Sequence, residues 1–128
     1  DVNPFIQITQ ELGRDVYNTP VSCPLKNSYG APVGFGGAMG PSQFIPSTWL
    51  LYKDKIKNMT GRSPDPWNIK DAFLATGVYL KDLGGLNNEF TAVMRYFSGY
   101  SWSKWEEFYG RSVLAIAVQY EQDIKEIE

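Results

Sequence analysis

The residues able to do chemistry in this 128-residue chain concentrate in one stretch, Gly36-Gly37-Ala38-Met39-Gly40-Pro41-Ser42-Gln43-Phe44-Ile45-Pro46-Ser47-Thr48-Trp49. Its glycines can adopt positive φ and let a ligand approach the main chain closely. A phosphate loop uses the same freedom, but it needs Lys-Ser or Lys-Thr after the glycines and a strand before them, and neither stands here. Gln43 carries an uncharged amide that donates and accepts together, which matches the hydroxyl and N-acetyl groups of a neutral sugar. Phe44 and Trp49 could wall such a site, because a sugar ring lays its C–H face on an aromatic plane while its edge hydrogen-bonds. Both side chains also read as core beneath a tight loop. Pro46 and Ser47 are expected to fix the turn and cap the helix that follows. From residue chemistry alone, a loop that holds a neutral polar polymer and a simple loop-to-helix joint both fit.

Composition narrows the field. Twelve basic and fourteen acidic residues leave a net charge of −2, and no basic run is interleaved with aromatics, so nothing steers the chain toward nucleic acid or an anionic membrane. There is no histidine, which excludes His-based triads and most transition-metal sites. The single cysteine, Cys23, has no partner within the chain and no His to activate it; it reads as a quiet thiol or as half of a bridge to a segment outside this sequence. No apolar run approaches the length of a transmembrane helix. The chain starts at Asp1 without an initiator Met and reads as a piece of a longer protein.

The elements that must position these residues are helical. Asn3 and Pro4 open a helix with Phe5, Ile8 and Leu12 on one side, ending near Gly13. Residues 14–42, rich in Gly and Pro, read as a long loop with little regular structure, and a loop of that length in a compact domain hints at function. A second helix starts at Ser47 or Thr48, with Trp49, Tyr52, Ile56 and Met59 as its apolar face, and stops at Thr60-Gly61. After a Pro-rich turn from Arg62 to Trp67, Asn68 and Asp71 make a capping-box-like start to a third, which ends at Gly84-Gly85. Asn88 caps a fourth, with Phe90, Val93, Met94 and Phe97 apolar, closed by Gly99. Residues 102–108 read as an aromatic turn, and a last helix runs from about 111, charged beyond Ile116. No β-type alternation is visible. The expectation is one mainly α domain over 1–128.

Three blocks resemble the lytic murein transglycosylases with a lysozyme-like fold, and the membrane-bound B-type family among them. Ala38, Met39, Gly40, Gln43, Phe44, Pro46 and Ser47 match that family's Ala-Met-Gly-x-x-Gln-Phe-x-Pro-Ser loop. Asp65-Pro66-Trp67-Asn68 with Asp71-Ala72 resembles its Trp-Asn-x-x-Asp-Ala helix start, and Ala92-Val93 to Tyr96 a late helix whose tyrosine faces the catalytic centre, with Phe97 where the family has Asn. The resemblance implies a lysozyme-like transglycosylase domain, incomplete at its N-terminus. It would act on peptidoglycan in the cell envelope or outside the cell, with no cofactor. Substrate-binding residues would be Gly37, Ala38, Met39, Gln43, Phe44, Ser47, Trp49 and Tyr96. The reaction implied is cleavage of the β-1,4 bond between N-acetylmuramic acid and N-acetylglucosamine, with the sugar's own 6-hydroxyl closing a 1,6-anhydro ring.

Such cleavage needs a protonated carboxyl beside the leaving oxygen. Two placements stay open. Glu11 lies late in the first helix, ahead of the loop, but Leu12-Gly13-Arg14 follows it where the family has Ser-x-x-Gly. Alternatively, Phe5 to Asp15 corresponds to the helix between the catalytic glutamate and the Ala-Met-Gly loop, which places the acid upstream of Asp1 and leaves Glu11 on an exposed helix surface. Asp65 and Asp71 read as caps of main-chain N–H groups. Glu106 and Glu107, beside Trp102 and Trp105, read as solvated surface or as an extension of a glycan groove. Arg14 and Arg62 read as surface charges, or as holders of peptide-stem carboxylates. A glycan-binding module without the acid is the second functional expectation, and a partner-binding helical scaffold the third.

Overall fold

The computed structural model describes residues 1–22, 28–30, 37–99 and 109–127. Cys23, Gly36 and the aromatic stretch with Trp102, Trp105, Glu106 and Glu107 lie outside the described residues. The protein is mainly α-helical. The chain divides into two compact units, Asp1–Thr76 and Gly77–Glu128.

In the first unit, helix α1 (Val2–Glu11) buries Phe5, Ile8 and Thr9. Thr9 enters that apolar face because its hydroxyl donates to the Phe5 and Ile6 carbonyls, 3.0 and 2.9 Å away, within its own helix. Leu12, expected on the buried side, is only half-buried at the C-cap. Two short strands follow, β1 (Val21–Ser22) and β2 (Ala38–Met39), paired antiparallel with Val21 opposite Met39 and Ser22 opposite Ala38. They correct the expectation of no β structure: two residues per strand are too few for alternation to register. Helix α2 (Pro46–Thr60) packs against α1 and buries Trp49, Tyr52 and Ile56. It ends at Gly61, which takes φ 73° and donates its N–H to Lys57 at 2.8 Å. Met59, expected on the buried face, is 60% exposed in the last turn.

Helix α3 (Ile69–Asp82) starts in the first unit and ends in the second, burying Asp71, Ala72 and Ala75. Its start is capped by Asn68, whose Oδ1 accepts from the N–H groups of Lys70 at 3.0 Å and Asp71 at 3.3 Å. The second unit continues with α4 (Glu89–Ser98) and α5 (Arg111–Ile127). Asn88 caps α4 by accepting from Thr91 N–H at 2.9 Å, as its position in the sequence implied. Ala92 and Met94 are its buried residues, whereas Phe97 is 43% exposed and stacks on Tyr109 with centroids 4.0 Å apart. Among the described residues α5 has no buried side chain, and no helix is long and apolar enough to cross a membrane.

Candidate functional site

The glycine-rich stretch folds into a four-residue turn, Gly40-Pro41-Ser42-Gln43, closed beneath by a bridge between Met39 and Phe44. Met39 N–H donates to the Phe44 carbonyl at 2.9 Å, and Gln43 N–H to the Gly40 carbonyl at 3.2 Å. Proline suits the second position of such a turn because its ring pre-sets φ. Gly40 takes φ 62°. Gln43 takes φ 55°, and among the described residues it is the sole non-glycine with positive φ. That conformation costs a non-glycine roughly 1–2 kcal/mol, and such strain persists only where the surroundings enforce it.

Here the enforcement is visible on both sides of the loop. A Cβ on Gly37 would overlap the Ser22 carbonyl oxygen and sit 3.2 Å from Val21 Cβ. One on Gly40 would overlap the Pro66 carbonyl oxygen, 2.8 Å from its carbonyl carbon and 3.2 Å from Trp67 Cα. Below, Met39, Phe44 and Trp49 are 0, 2 and 1% exposed, with the Phe44 and Trp49 rings edge-to-face at 5.6 Å. Met39, Phe44 and Trp49 thus form the buried seat of the loop, and Gly37 is buried against β1. Ala38 is half-buried and pairs through its main chain with Ser22.

Gln43 remains as the exposed chemical group. Its Nε2 donates back to the Gly40 carbonyl at 2.8 Å, which fixes the amide's orientation. Among the described residues nothing bonds the amide oxygen or the second N–H, one acceptor and one donor. Ser47 is exposed as well, but it does not cap α2: the N-cap is Ile45, Pro46 occupies the first turn, and no side chain of the N-cap bonds the helix. Ser47 N–H donates to Asp1 Oδ1 at 2.7 Å, so a carboxylate from a distant part of the chain does that work. Tyr96 stands in the second unit, half-buried, its ring 5.2 Å from that of Tyr79.

Glu11 has surroundings unlike those of a proton donor. Both its oxygens accept from Lys53 Nζ at 2.7 Å, and Oε1 also accepts from Gln7 at 2.9 Å. The Lys53 hydrogen bonds, then that from Gln7, outweigh slight desolvation and hold its carboxyl below the ordinary value. A general acid needs the opposite shift.

Sequence reasoning did not find the network behind the loop. Asp71 is 1% exposed, and Arg62 grips it with two hydrogen bonds of 2.5 and 2.8 Å. Burial pushes the Asp71 carboxyl up, but the Arg62 bonds, the Asp65 N–H at 2.9 Å and the Arg62 charge prevail and leave it lowered. Asp65 Oδ1 accepts from Trp67 N–H at 2.8 Å, and Oδ2 pairs with Arg14 at 2.6 Å. Arg14 lies over the Trp67 ring, 4.8 Å from its centroid. Both aspartates thus cap main-chain N–H groups as expected, while both arginines are committed to internal pairs. Their spacing in sequence carried no signal for pairs that link the segment after α1 to the turn and the turn to α3. The second unit holds an open groove of about 610 Å³ at the start of α4, lined in part by Asn87, Glu89, Phe90 and Leu114; none of the sequence-predicted site residues lines it.

Among the described residues no group of three or more His, Cys, Asp or Glu converges as a metal set. Compared with known proteins, the chain matches no protein-family model, no curated protein and no solved structure. The likeness to lytic transglycosylases therefore rests on the three sequence blocks.

Proposed function

We propose that this chain is a peptidoglycan lytic transglycosylase domain whose Gly40–Gln43 turn holds the neutral glycan strand. The observation that carries this is Gln43: an exposed amide at φ 55°, kept in a costly conformation by a buried seat and two main-chain walls. A turn of this kind has no structural need for a glutamine, since glycine or asparagine meets the backbone requirement with less strain. An acceptor and a donor that no described residue bonds, on one amide, suit an N-acetyl group or a pair of sugar hydroxyls. The matching Ala-Met-Gly-x-x-Gln-Phe block supports the choice of glycan, and with it cleavage of the N-acetylmuramic acid–N-acetylglucosamine bond to a 1,6-anhydro product. On this reading Glu11 is a paired surface carboxylate, and the acid belongs to a glutamate ahead of α1, where the family resemblance puts it.

A second reading, glycan binding without cleavage, draws on one observation. The described carboxylates with clearly shifted acidity, Glu11, Asp15 and Asp71, are all held toward the ionised form, so none is a ready proton donor. The test is incubation with purified peptidoglycan sacculi, followed by pelleting and mass spectrometry of the soluble fraction. Co-sedimentation of this chain, with anhydro-muropeptides released once the residues that precede α1 in the parent protein are added, supports the cleaving domain. Co-sedimentation without products from either form supports the binding module. Absence of both overturns the glycan reading.

A further inference from the structure

Trp67 touches several parts of the frame around the loop. Its main chain, with that of Pro66, forms the wall against Gly40. Its indole N–H donates to the Pro20 carbonyl at 2.9 Å, one residue ahead of β1, the strand that walls Gly37 and pairs with β2. Its ring meets Phe5 of α1 edge-on at 6.3 Å and carries Arg14 on its face. Its own N–H is held by Asp65, whose N–H is in turn held by buried Asp71. The two segments that close on Gly37 and Gly40 thus lie far apart in sequence, and the indole N–H bonds one of them to the residue that leads into the other.

We propose that Trp67 is a positioning residue for glycan recognition: it pins the β1 wall to the Pro66 wall and so sets the conformation of Gln43 without touching the ligand. This rests on the glycan reading above. With the pin in place the strained turn is held from both sides; without it the direct bond between the two segments is gone, and Gln43 can relax out of the left-handed region. The favourable geometry of its amide is lost although every loop residue remains.

The test is Trp67→Phe, which keeps an aromatic ring for Phe5 and Arg14 but removes the indole N–H. Hydrogen exchange reads the loop directly, because the Met39 and Gln43 amides are bonded only while the turn is closed. Loss of one hydrogen bond of ordinary strength is expected to speed exchange at Met39 and Gln43 about tenfold. Amides in the middle of α2 keep their protection, and retention on sacculi falls by a similar factor. Equal acceleration in α2 and the loop would make Trp67 merely structural and overturn the proposal, as would unchanged loop exchange. Faster loop exchange with full retention on sacculi would also overturn it, by uncoupling the turn from binding. Trp67→Tyr serves as a second variant should the phenylalanine chain fail to fold, with the same outcomes. If the unaltered chain does not pellet with sacculi, the glycan reading fails by itself; the exchange result still decides whether Trp67 pins the turn.

Discussion

Gly40→Ala tests the wall behind the loop, and the structure supplies its own control. At Gly40 the added methyl meets the Pro66–Trp67 peptide, 2.8 Å from the Pro66 carbonyl carbon and 3.2 Å from Trp67 Cα. Ordinary carbon contacts lie near 3.5–4.0 Å, so the two segments must part by about 0.7 Å or more, and no side-chain rotation relieves the clash. Overpacking of this kind costs about 1–3 kcal/mol. The φ of 62° adds roughly 1–2 kcal/mol for an alanine in the left-handed region. Gly61 takes φ 73°, but an added Cβ has nothing within 4 Å, so Gly61→Ala carries only the backbone cost. In urea unfolding followed by tryptophan fluorescence, Gly40→Ala is expected to lose about 2–5 kcal/mol and Gly61→Ala about 1–2 kcal/mol. Equal losses in the two variants would refute the close approach of Pro66 to the loop.

Gln43→Gly relieves strain in the turn while loosening the unfolded chain, so stability should move by no more than about 1 kcal/mol in urea unfolding while retention on sacculi drops sharply. Asp71, lowered in the folded state, contributes stability that is present above its unfolded pKa and lost as pH falls through its folded one; thermal melts should show Tm falling on acidification, with a shallower fall in Asp71→Asn. At neutral pH that variant is expected to lose about 1–3 kcal/mol, less than for a fully buried pair because Arg62 is half exposed and can regain water. Glu11→Gln removes a solvent-exposed pair with Lys53, so its stability should change by less than about 1 kcal/mol, and retention on sacculi should match that of the unaltered chain.

The helices were legible because their signals are local. Asn88, Asn68 and Gly61 cap where their residue types and neighbours implied, and the apolar spacing of Phe5 and Ile8, or of Trp49, Tyr52 and Ile56, matches the buried faces. Met59 and Leu12 misled because periodicity marks a side of a helix and says nothing of how far a neighbour extends along it. At the site, the sequence identified the loop but not which residues face outward. Phe44 and Trp49 suit a sugar platform and a core equally by type, and only their burial separates the roles. Ser47 looked like a cap, but Pro46 draws the helix start one residue earlier. Arg14–Asp65 spans 51 positions and Trp67–Pro20 spans 47, so no window along the chain could have paired them.

The central claim is that the Gln43 amide, held in the closed turn, binds a neutral glycan. The most direct measurement is an amide NMR titration of the unaltered chain and of Gln43→Ala with soluble, uncrosslinked peptidoglycan strands. Saturable shifts centred on Gly40–Gln43 and the Gln43 side-chain amide in the unaltered chain, with affinity weakened at least about tenfold in the variant, are expected from loss of hydrogen bonds made by that one group. Shifts that avoid the turn, or equal affinity in the two proteins, would contradict it.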